Sequence, residues 1–229
     1  MKHALKMLFS AVFVFFLAVP MAYAVIAHDE AVTVAPNLEW VDPYTLKGDK
    51  DLLRDYLPEN SDGSINVVVE IPAGTNAKWE VDKMTGELKW EFKEGVPRVV
   101  KYLGYPGNYG FVPRSLLPHE LGGDGDPLDV IVLGPAVPRG SVIPVKIIGV
   151  LRLLDKGEQD DKLIAIQSGT PLAKVDSLEE LDKKFPGATD IVSTWFANYK
   201  GQKKIEILGY ANKHEADKIV KTSIQAYKE

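Results

Sequence analysis

Apolar residues are concentrated in short runs between residues 66 and 166, and polar turn residues separate these runs. Short runs of β-branched and aromatic residues bounded by Gly, Pro, Asn and Asp predict strands. Pro72 to Asn76 and Pro138 to Gly140 are typical of the connecting turns. The predicted strands are 66–71, 77–82, 87–92, 128–133, 142–154 and 162–166.

Helical periodicity appears only near the C-terminus. Ser177 and Glu180 form a capping-box pattern, and the helix that they begin should end before Pro186. Residues 189–199 and 214–227 have apolar residues at helical spacing. Because strands and helices do not alternate, a parallel doubly wound sheet is not expected. The pattern predicts a mainly β (α+β) fold, an OB-like closed antiparallel β-barrel flanked by C-terminal helices.

The first residues of the chain have the pattern of an export signal. An uncharged run from Met7 to Ala27 follows the basic start, and it contains Pro20 and the small-residue pattern Ala22 to Ala24. This is typical of a secretory signal peptide cleaved after Ala24. An uncleaved anchor is the alternative, since the run approaches the roughly 20 residues of a spanning helix. We expect an exported protein, periplasmic or secreted, without stable membrane insertion after cleavage.

The sequence predicts three parts: a signal peptide (1–24), an N-terminal arm (25–64) and a barrel domain (65–229). The arm is polar and has no sustained period, and one short helical piece is predicted near Lys50 to Tyr56. After removal of the signal peptide, the chain is long enough to bury a substantial core.

Composition narrows the classes of function. The chain of 229 residues has no cysteine, so bound ions or subunit contacts are expected to add the stability that disulfides give other exported proteins. Its formal charge is −5, and loss of Lys2 and Lys6 with the signal peptide changes it to −7. An acidic protein is not expected to bind nucleic acid. It can bind a small anion when cations lie between its carboxylates and that anion.

An acidic, glycine-rich turn before an apolar strand is the sharpest chemical feature. Asp124, Asp126 and Asp129 lie within six positions of one another. Clustered carboxylates raise one another's pKa values unless cations neutralise them, and oxygen ligands of this kind suit magnesium, manganese or calcium. An EF-hand loop does not fit, because position six from Asp124 is Asp129 instead of Gly and position twelve is Pro135 instead of Glu.

Two further groups bear on the same chemistry. A second acidic turn, from Asp155 to Asp161, lies one strand later and is followed by Lys162. If both acidic turns meet at one end of a barrel, they can hold two or more cations between them. The segment from Tyr102 to Gly110 is rich in tyrosine and follows Arg98. Phenol and guanidinium groups can donate hydrogen bonds to phosphoryl oxygens.

The stretch from Asp124 to Val130 resembles the signature of the soluble family I inorganic pyrophosphatases. The resemblance covers roughly residues 65 to 210 in consistent order. It continues through residues 69–72, 78–83 and 105–110, and then through Asp155, Asp160, Lys162, Tyr199 and Lys200. It implies a magnesium-dependent enzyme that hydrolyses pyrophosphate, bound as its magnesium complex, to two phosphates. It also implies a homo-oligomer, with the hexamer typical of bacterial members.

The resemblance assigns roles to individual residues. Asp126 matches the general base, which would accept a proton from a water that the bound cations have made more acidic. Several Mg²⁺ ions are implied, with Mn²⁺ possible. The implied metal-binding residues are Asp124, Asp129, Asp155 and Asp160, with Glu70 acting through water. The implied phosphate-binding residues are Lys78, Arg98, Tyr109, Tyr199 and Lys200, supported by Lys162 and Tyr105. Lys156 departs from the family, which often has an acid there.

Two other classes of function compete with this one. An exported, non-catalytic divalent-metal or phosphate binder would need the acidic ligands but no general base at Asp126. A metal-dependent nuclease on an OB-like barrel is the second alternative. The acidic balance and the lack of a basic stripe argue against the nuclease.

Overall fold

The computed structural model describes residues 32–118, 123 and 125–228, and within them the chain is mainly β with a few helices. The strands are β1 (Leu38–Asp42), β2 (Thr45–Gly48), β3 (Ile65–Ile71), β4 (Trp79–Val81), β5 (Leu88–Trp90), β6 (Phe92–Lys93), β7 (Val96–Pro97), β8 (Asn108–Phe111), β9 (Asp129–Leu133), β10 (Val142–Asp155), β11 (Glu158–Gln159), β12 (Lys162–Gln167) and β13 (Ile205–Asn212). The α-helices are α1 (Leu178–Lys184), α2 (Ala188–Asn198) and α3 (Lys213–Lys228).

The long strand β10 organises the main sheet. It pairs with β11, β12, β13 and β3, and the sheet order is β11-β10-β12-β9-β8-β3. The pairing of β3 with β10 is antiparallel and joins the two ends of the β10-β12-β9-β8-β3 path. Every predicted strand overlaps an observed one, although the predicted strand 77–82 is longer than β4 and the predicted strand 87–92 covers β5 and the first residue of β6.

The prediction of an antiparallel sheet is wrong for one pair of strands. β9 and β12 run parallel, with Val130 opposite Leu163 and Leu133 opposite Ile166. They have the same direction because β10 lies between them along the chain and β12 returns antiparallel to β10. Because of the parallel register, the first residues of the two strands, Asp129 and Lys162, lie side by side at the same end of the sheet.

Part of the predicted N-terminal arm forms regular structure. β1 and β2 pair with β5 and β4 in a second, four-stranded sheet. The prediction of a short helix near residues 50–56 is wrong, because this segment consists of turns and bends. Its turn is closed by Asp51, whose carboxylate accepts hydrogen bonds from the Leu53 and Arg54 backbone N–H groups at 2.8 and 2.9 Å. A side chain bonded in this way competes with helical hydrogen bonding.

The C-terminal helices agree with the prediction. Ser177 Oγ accepts a 3.1 Å hydrogen bond from the Glu180 N–H, and α1 ends at Lys184, before Pro186. The buried residues of α3, including Val220 and Ile224, pack with residues of β9, β10 and β12. Across the described part of the chain, no helix is long and apolar enough to cross a membrane. The predicted signal peptide lies outside the described residues.

Candidate active site

A cavity of about 670 Å³ opens at the end of the main sheet where β9 and β12 begin. Of the predicted site residues, Glu70 does not line it, and Asp124 lies outside the residues that the structure describes. The predicted site residues that line the cavity are Lys78, Arg98, Tyr109, Asp126, Asp129, Asp155, Asp160, Tyr199 and Lys200. Residues separated by more than 120 positions therefore meet at one site.

Lys162 joins the two acidic turns. Its Nζ donates a hydrogen bond to Asp129 Oδ2 at 2.5 Å and another to Asp160 Oδ1. Burial by itself lowers the pKa of Lys162, but Asp129 and Asp160 outweigh burial and raise the pKa overall. The pKa of Asp160 is also raised, chiefly by burial and then by Asp129, against the effect of Lys162. The ammonium group thus balances charge between two carboxylates that would otherwise repel each other.

A second ion pair, between Lys200 and Asp155, lies where β10 and α2 end. Lys200 Nζ donates to Asp155 Oδ2 at 2.5 Å and lies 5.3 Å from the centre of the Tyr199 ring. The Tyr199 ring stacks on Trp195 with a centroid distance of 4.7 Å. Asp155 Oδ1 is buried and has no hydrogen-bond partner. This oxygen is therefore available to a cationic ligand.

Glu70 is buried near Lys78 and does not line the cavity. It is 4% exposed, and its Oε1 accepts a 2.7 Å hydrogen bond from the Val81 N–H. Burial raises its pKa to about 8, although Lys78 acts in the opposite direction. Glu70 does not line the cavity, because β3 directs the side chain towards β4, so its metal role through water stays a prediction.

Lys78 and Arg98 form the cationic side of the cavity. Their backbones are hydrogen-bonded, with the Lys78 N–H donating to the Arg98 carbonyl at 2.9 Å. Lys78 Nζ lies 5.6 Å from the centre of the Tyr109 ring. Burial lowers the pKa of Lys78, but Glu70 and other acidic neighbours raise it overall. Arg98 Nη1 donates to Glu91 at 2.5 and 2.8 Å. The backbone pairing therefore places Arg98 beside Lys78 at the site.

Asp126 lies on the glycine turn that leads into β9. Gly125 has a φ of +82°, a conformation that glycine adopts without strain. The Asp126 side chain is 46% exposed and forms an ion pair with Lys83. Lys83 comes from the turn after β4 and was not identified as a site residue in the sequence. Its place in the stretch 78–83 was the available signal.

The tyrosines form a buried aromatic layer under the cavity. Tyr105 packs 4.2 Å from Trp195 and 5.1 Å from Tyr109, measured between ring centres. Burial raises the pKa of Tyr105 and of Tyr109, as well as that of Tyr199. These phenols therefore keep their protons at neutral pH and can donate hydrogen bonds. Tyr109 and Tyr199 reach the cavity, whereas Tyr105 supports them from below.

The donor groups suit a small, hard cation. The acids of the cavity offer only carboxylate oxygens, which magnesium and manganese prefer. Within residues 32–118, 123 and 125–228, no group of three or more His, Cys, Asp or Glu side chains is already gathered for a metal ion. Lysine ammonium groups neutralise Asp129, Asp155 and Asp160 instead. Asp155 Oδ1, which is buried and has no hydrogen-bond partner, is an oxygen available to such an ion.

Sequence comparison relates the chain to one family of known proteins. The family model described as inorganic pyrophosphatase matches residues 67–228. An inorganic pyrophosphatase of Helicobacter pylori (strain ATCC 700392 / 26695) is 36% identical over 173 residues, which are 72% of this chain and 91% of the relative. A mitochondrial inorganic pyrophosphatase of Saccharomyces cerevisiae is 38% identical over 159 residues, and there the match covers 60% of this chain and only 50% of the relative.

Solved structures agree with the sequence matches. The structure of the inorganic pyrophosphatase from Helicobacter pylori has a TM-score of 0.65 and 32% sequence identity, and the match covers 77% of this chain and all of that one. A vacuolar soluble pyrophosphatase from Trypanosoma cruzi, in its apo form, has a TM-score of 0.77 over 96% of this chain and 66% of that one. Its sequence identity of 23% supports a shared fold.

Proposed function

The chain belongs to the inorganic pyrophosphatase family, and on that premise we propose how its cavity carries out the reaction. The protein is an inorganic diphosphatase that hydrolyses pyrophosphate to two phosphates. The observation that carries the assignment is one cavity with a carboxylate side, represented by Asp129 and Asp160, and a cationic side, represented by Lys78 and Arg98. A non-catalytic metal or phosphate binder is not favoured, because the relatives are named as enzymes.

The cofactor in this proposal is Mg²⁺, several ions per site, with Mn²⁺ as the alternative. The residues that would hold it are Asp124, Asp129, Asp155 and Asp160, with Glu70 through water. When bound, a divalent ion makes water more acidic and polarises phosphoryl oxygens. The oxygen-only donor set and the buried Asp155 Oδ1 support this part of the proposal.

Asp126 is proposed as the general base. Its partly exposed carboxylate lines the cavity, so it can accept a proton from water there. The water oxygen bonds to one phosphorus as the bridging P–O bond breaks, and the leaving phosphate keeps the electron pair. Negative charge then grows on the leaving group, where fixed cations and phenol donors stabilise the transition state. The groups proposed for this role are Lys78, Arg98, Tyr109, Tyr199 and Lys200.

Two features of architecture belong to the same proposal. We propose that β3, β8, β9, β12 and β10 form a closed OB-like barrel, supported by the pairing of β3 with β10. We also propose assembly as a homo-oligomer, with the hexamer favoured by the family resemblance. Light scattering of the purified chain tests the assembly, and a monomeric mass would contradict it.

Export completes the proposal. The uncharged run from Met7 to Ala27 and the pattern Ala22 to Ala24 support cleavage after Ala24, which makes Val25 the first residue of the mature periplasmic or secreted protein. N-terminal mass spectrometry of the protein recovered from an envelope fraction tests this. Intact Met1 in a membrane pellet would support the anchor instead.

The assay for the activity is phosphate release from pyrophosphate by the chain beginning at Val25, with Mg²⁺ and with EDTA. We expect turnover with Mg²⁺ and loss of turnover with EDTA. The matched variants are Asp129→Asn, in the cavity, and Asp62→Asn, which lies on an exposed turn outside it. Loss of activity in the first variant only, with unchanged circular dichroism spectra, supports the site. Absence of turnover in the unsubstituted, folded protein would contradict the function.

A further inference from the structure

Lys156 differs from the other cations that line the cavity. The other four cations each form an ion pair with a carboxylate; they are Lys78, Arg98, Lys162 and Lys200. Among the residues that the structure describes, no carboxylate lies within ion-pair distance of Lys156, which is exposed. Within the described residues, the cavity therefore has one positive charge that no carboxylate balances.

The backbone fixes where Lys156 lies. Asp155 pairs with Glu158 across the β10–β11 hairpin, so Lys156 and Gly157 form its two-residue turn. Their φ values of +54° and +91° are both positive, as a type I′ turn requires. Glu94 and Gly95 have similar φ values in the exposed β6–β7 hairpin, so the turn alone does not indicate function. What distinguishes Lys156 is that its turn forms part of the cavity wall.

The phosphate-binding residues of the proposed function do not include Lys156. Those residues line the same cavity as Lys156, which lies beyond Asp155 at the tip of the β10–β11 hairpin. A cavity of about 670 Å³ falls within the range of ~300–1,000 Å³ that accommodates drug-sized ligands. Pyrophosphate is smaller than such a ligand, so there is room for a longer anion that reaches from the acidic turns to the hairpin tip.

We propose that Lys156 binds the distal phosphoryl group of a linear polyphosphate, so that the enzyme hydrolyses tripolyphosphate as well as pyrophosphate. This inference rests on the proposed function, because it uses the same reaction. The water oxygen bonds to the terminal phosphorus, and the adjacent bridging P–O bond breaks with its electron pair going to the leaving pyrophosphate. One water proton passes to Asp126 and the other stays on the new phosphate. Phosphate and pyrophosphate are the products, and no further reactant is needed.

The test compares kcat/KM for tripolyphosphate and for pyrophosphate in the mature chain with Mg²⁺. For Lys156→Ala we expect the ratio of the two values, tripolyphosphate over pyrophosphate, to fall by about tenfold, the size of one charge-assisted contact. Lys156→Glu should lower it further, because an acid repels the distal phosphoryl group. Lys156→Arg should retain the ratio. Added salt should reduce the difference between wild type and Lys156→Ala, since exposed charges are screened.

Lys203 supplies the matched control. It is exposed, has a φ of +58° and does not line the cavity, and it precedes Lys204, whose carbonyl faces the Lys156 N–H at 3.4 Å. Lys203→Ala should leave the ratio unchanged. As a measurement that does not depend on turnover, calorimetry in the slow Asp126→Asn background should show that Lys156→Ala weakens tripolyphosphate binding more than pyrophosphate binding.

The outcomes separate this inference from the function on which it rests. A wild-type enzyme that cleaves pyrophosphate but not tripolyphosphate overturns the inference and leaves the function intact. A wild-type protein that cleaves neither overturns both. Equal losses for the two substrates in Lys156→Ala, or an equal fall of the ratio in Lys203→Ala, would show that Lys156 does not select the longer substrate.

Discussion

The guanidinium carbon of Arg139 lies 4.5 Å from the centre of the Trp79 ring, and both side chains are fully buried. Arg139 Nε also donates a 2.9 Å hydrogen bond to the Glu70 carbonyl. On its other side, the Arg139 backbone exchanges hydrogen bonds with Thr33 and Ala35 at 2.8 Å. Arg139 thus ties a segment that precedes the matched family region to β3 and β4, next to Lys78.

We predict that Arg139→Ala destabilises the fold by about 3 kcal/mol, because it removes a buried hydrogen bond, an aromatic contact and much of a large buried side chain. Urea unfolding of the mature chain measures this. Arg54→Ala is the matched control, since Arg54 is an exposed partner of Asp51 and should cost less than about 1 kcal/mol. Equal costs for the two variants would contradict a special role of Arg139.

We predict that Asp126→Asn lowers kcat by about 100-fold or more while most metal affinity remains, because an amide cannot accept the proton and the other carboxylates are unchanged. Phosphate release and calorimetric titration of Mg²⁺ measure the two properties. Near wild-type turnover at neutral pH would show that another group is the base. Lys83→Ala should be measured alongside Asp126→Asn, because it removes the ion-pair partner of Asp126 and keeps the Asp126 carboxylate.

Lys162→Met provides a test of charge balance. The substitution leaves Asp129 and Asp160 close together without their shared ammonium group, so we predict a loss of about 3 to 5 kcal/mol in EDTA. Mg²⁺ should restore part of this stability, and by more than it stabilises the wild type, because the ion takes over the neutralisation. Thermal melting with and without Mg²⁺ measures both effects. A variant as stable as the wild type in EDTA would show that the two acids do not need Lys162.

Sequence patterns were sufficient for elements whose signal is local. The β-branched runs of β3, β9, β10 and β12 identified those strands, and the Ser177 cap identified the start of α1. β8 was missed because its residues, which include Tyr109 and Gly110, look like a turn. Its register depends on contact with β3, where a side chain at position 110 would lie 1.8 Å from the Val68 carbonyl oxygen. Such a close approach between distant residues leaves no local signal.

The same distinction applies to the site. The acidic turns are visible in the sequence as clusters, but the parallel pairing of β9 with β12 is a property of topology. That pairing explains why Lys162 lies between Asp129 and Asp160. The direction of the Glu70 side chain was likewise not predictable, because it depends on the Val81 N–H of a neighbouring strand.

The final prediction concerns Mg²⁺ as a stabiliser of a chain without cysteine. A ligand that binds only the native state stabilises it by about 2.7 kcal/mol at 100 times its dissociation constant. For a domain of this size, that corresponds to a rise in melting temperature of roughly 5 to 10 °C. Melting curves across a magnesium series measure the rise, and Asp129→Ala should weaken it because one proposed ligand is lost.

Sodium at matched ionic strength is the necessary control, because screening also relieves repulsion among exposed acids. Screening acts equally on the wild type and on an exposed-site variant such as Asp62→Asn, whereas a bound ion requires the cavity carboxylates. A rise that is specific to the divalent ion, retained in Asp62→Asn and reduced in Asp129→Ala, therefore locates the stabilising ion at the β9 edge. A wild-type midpoint that does not respond to Mg²⁺ would contradict a metal site in the folded chain.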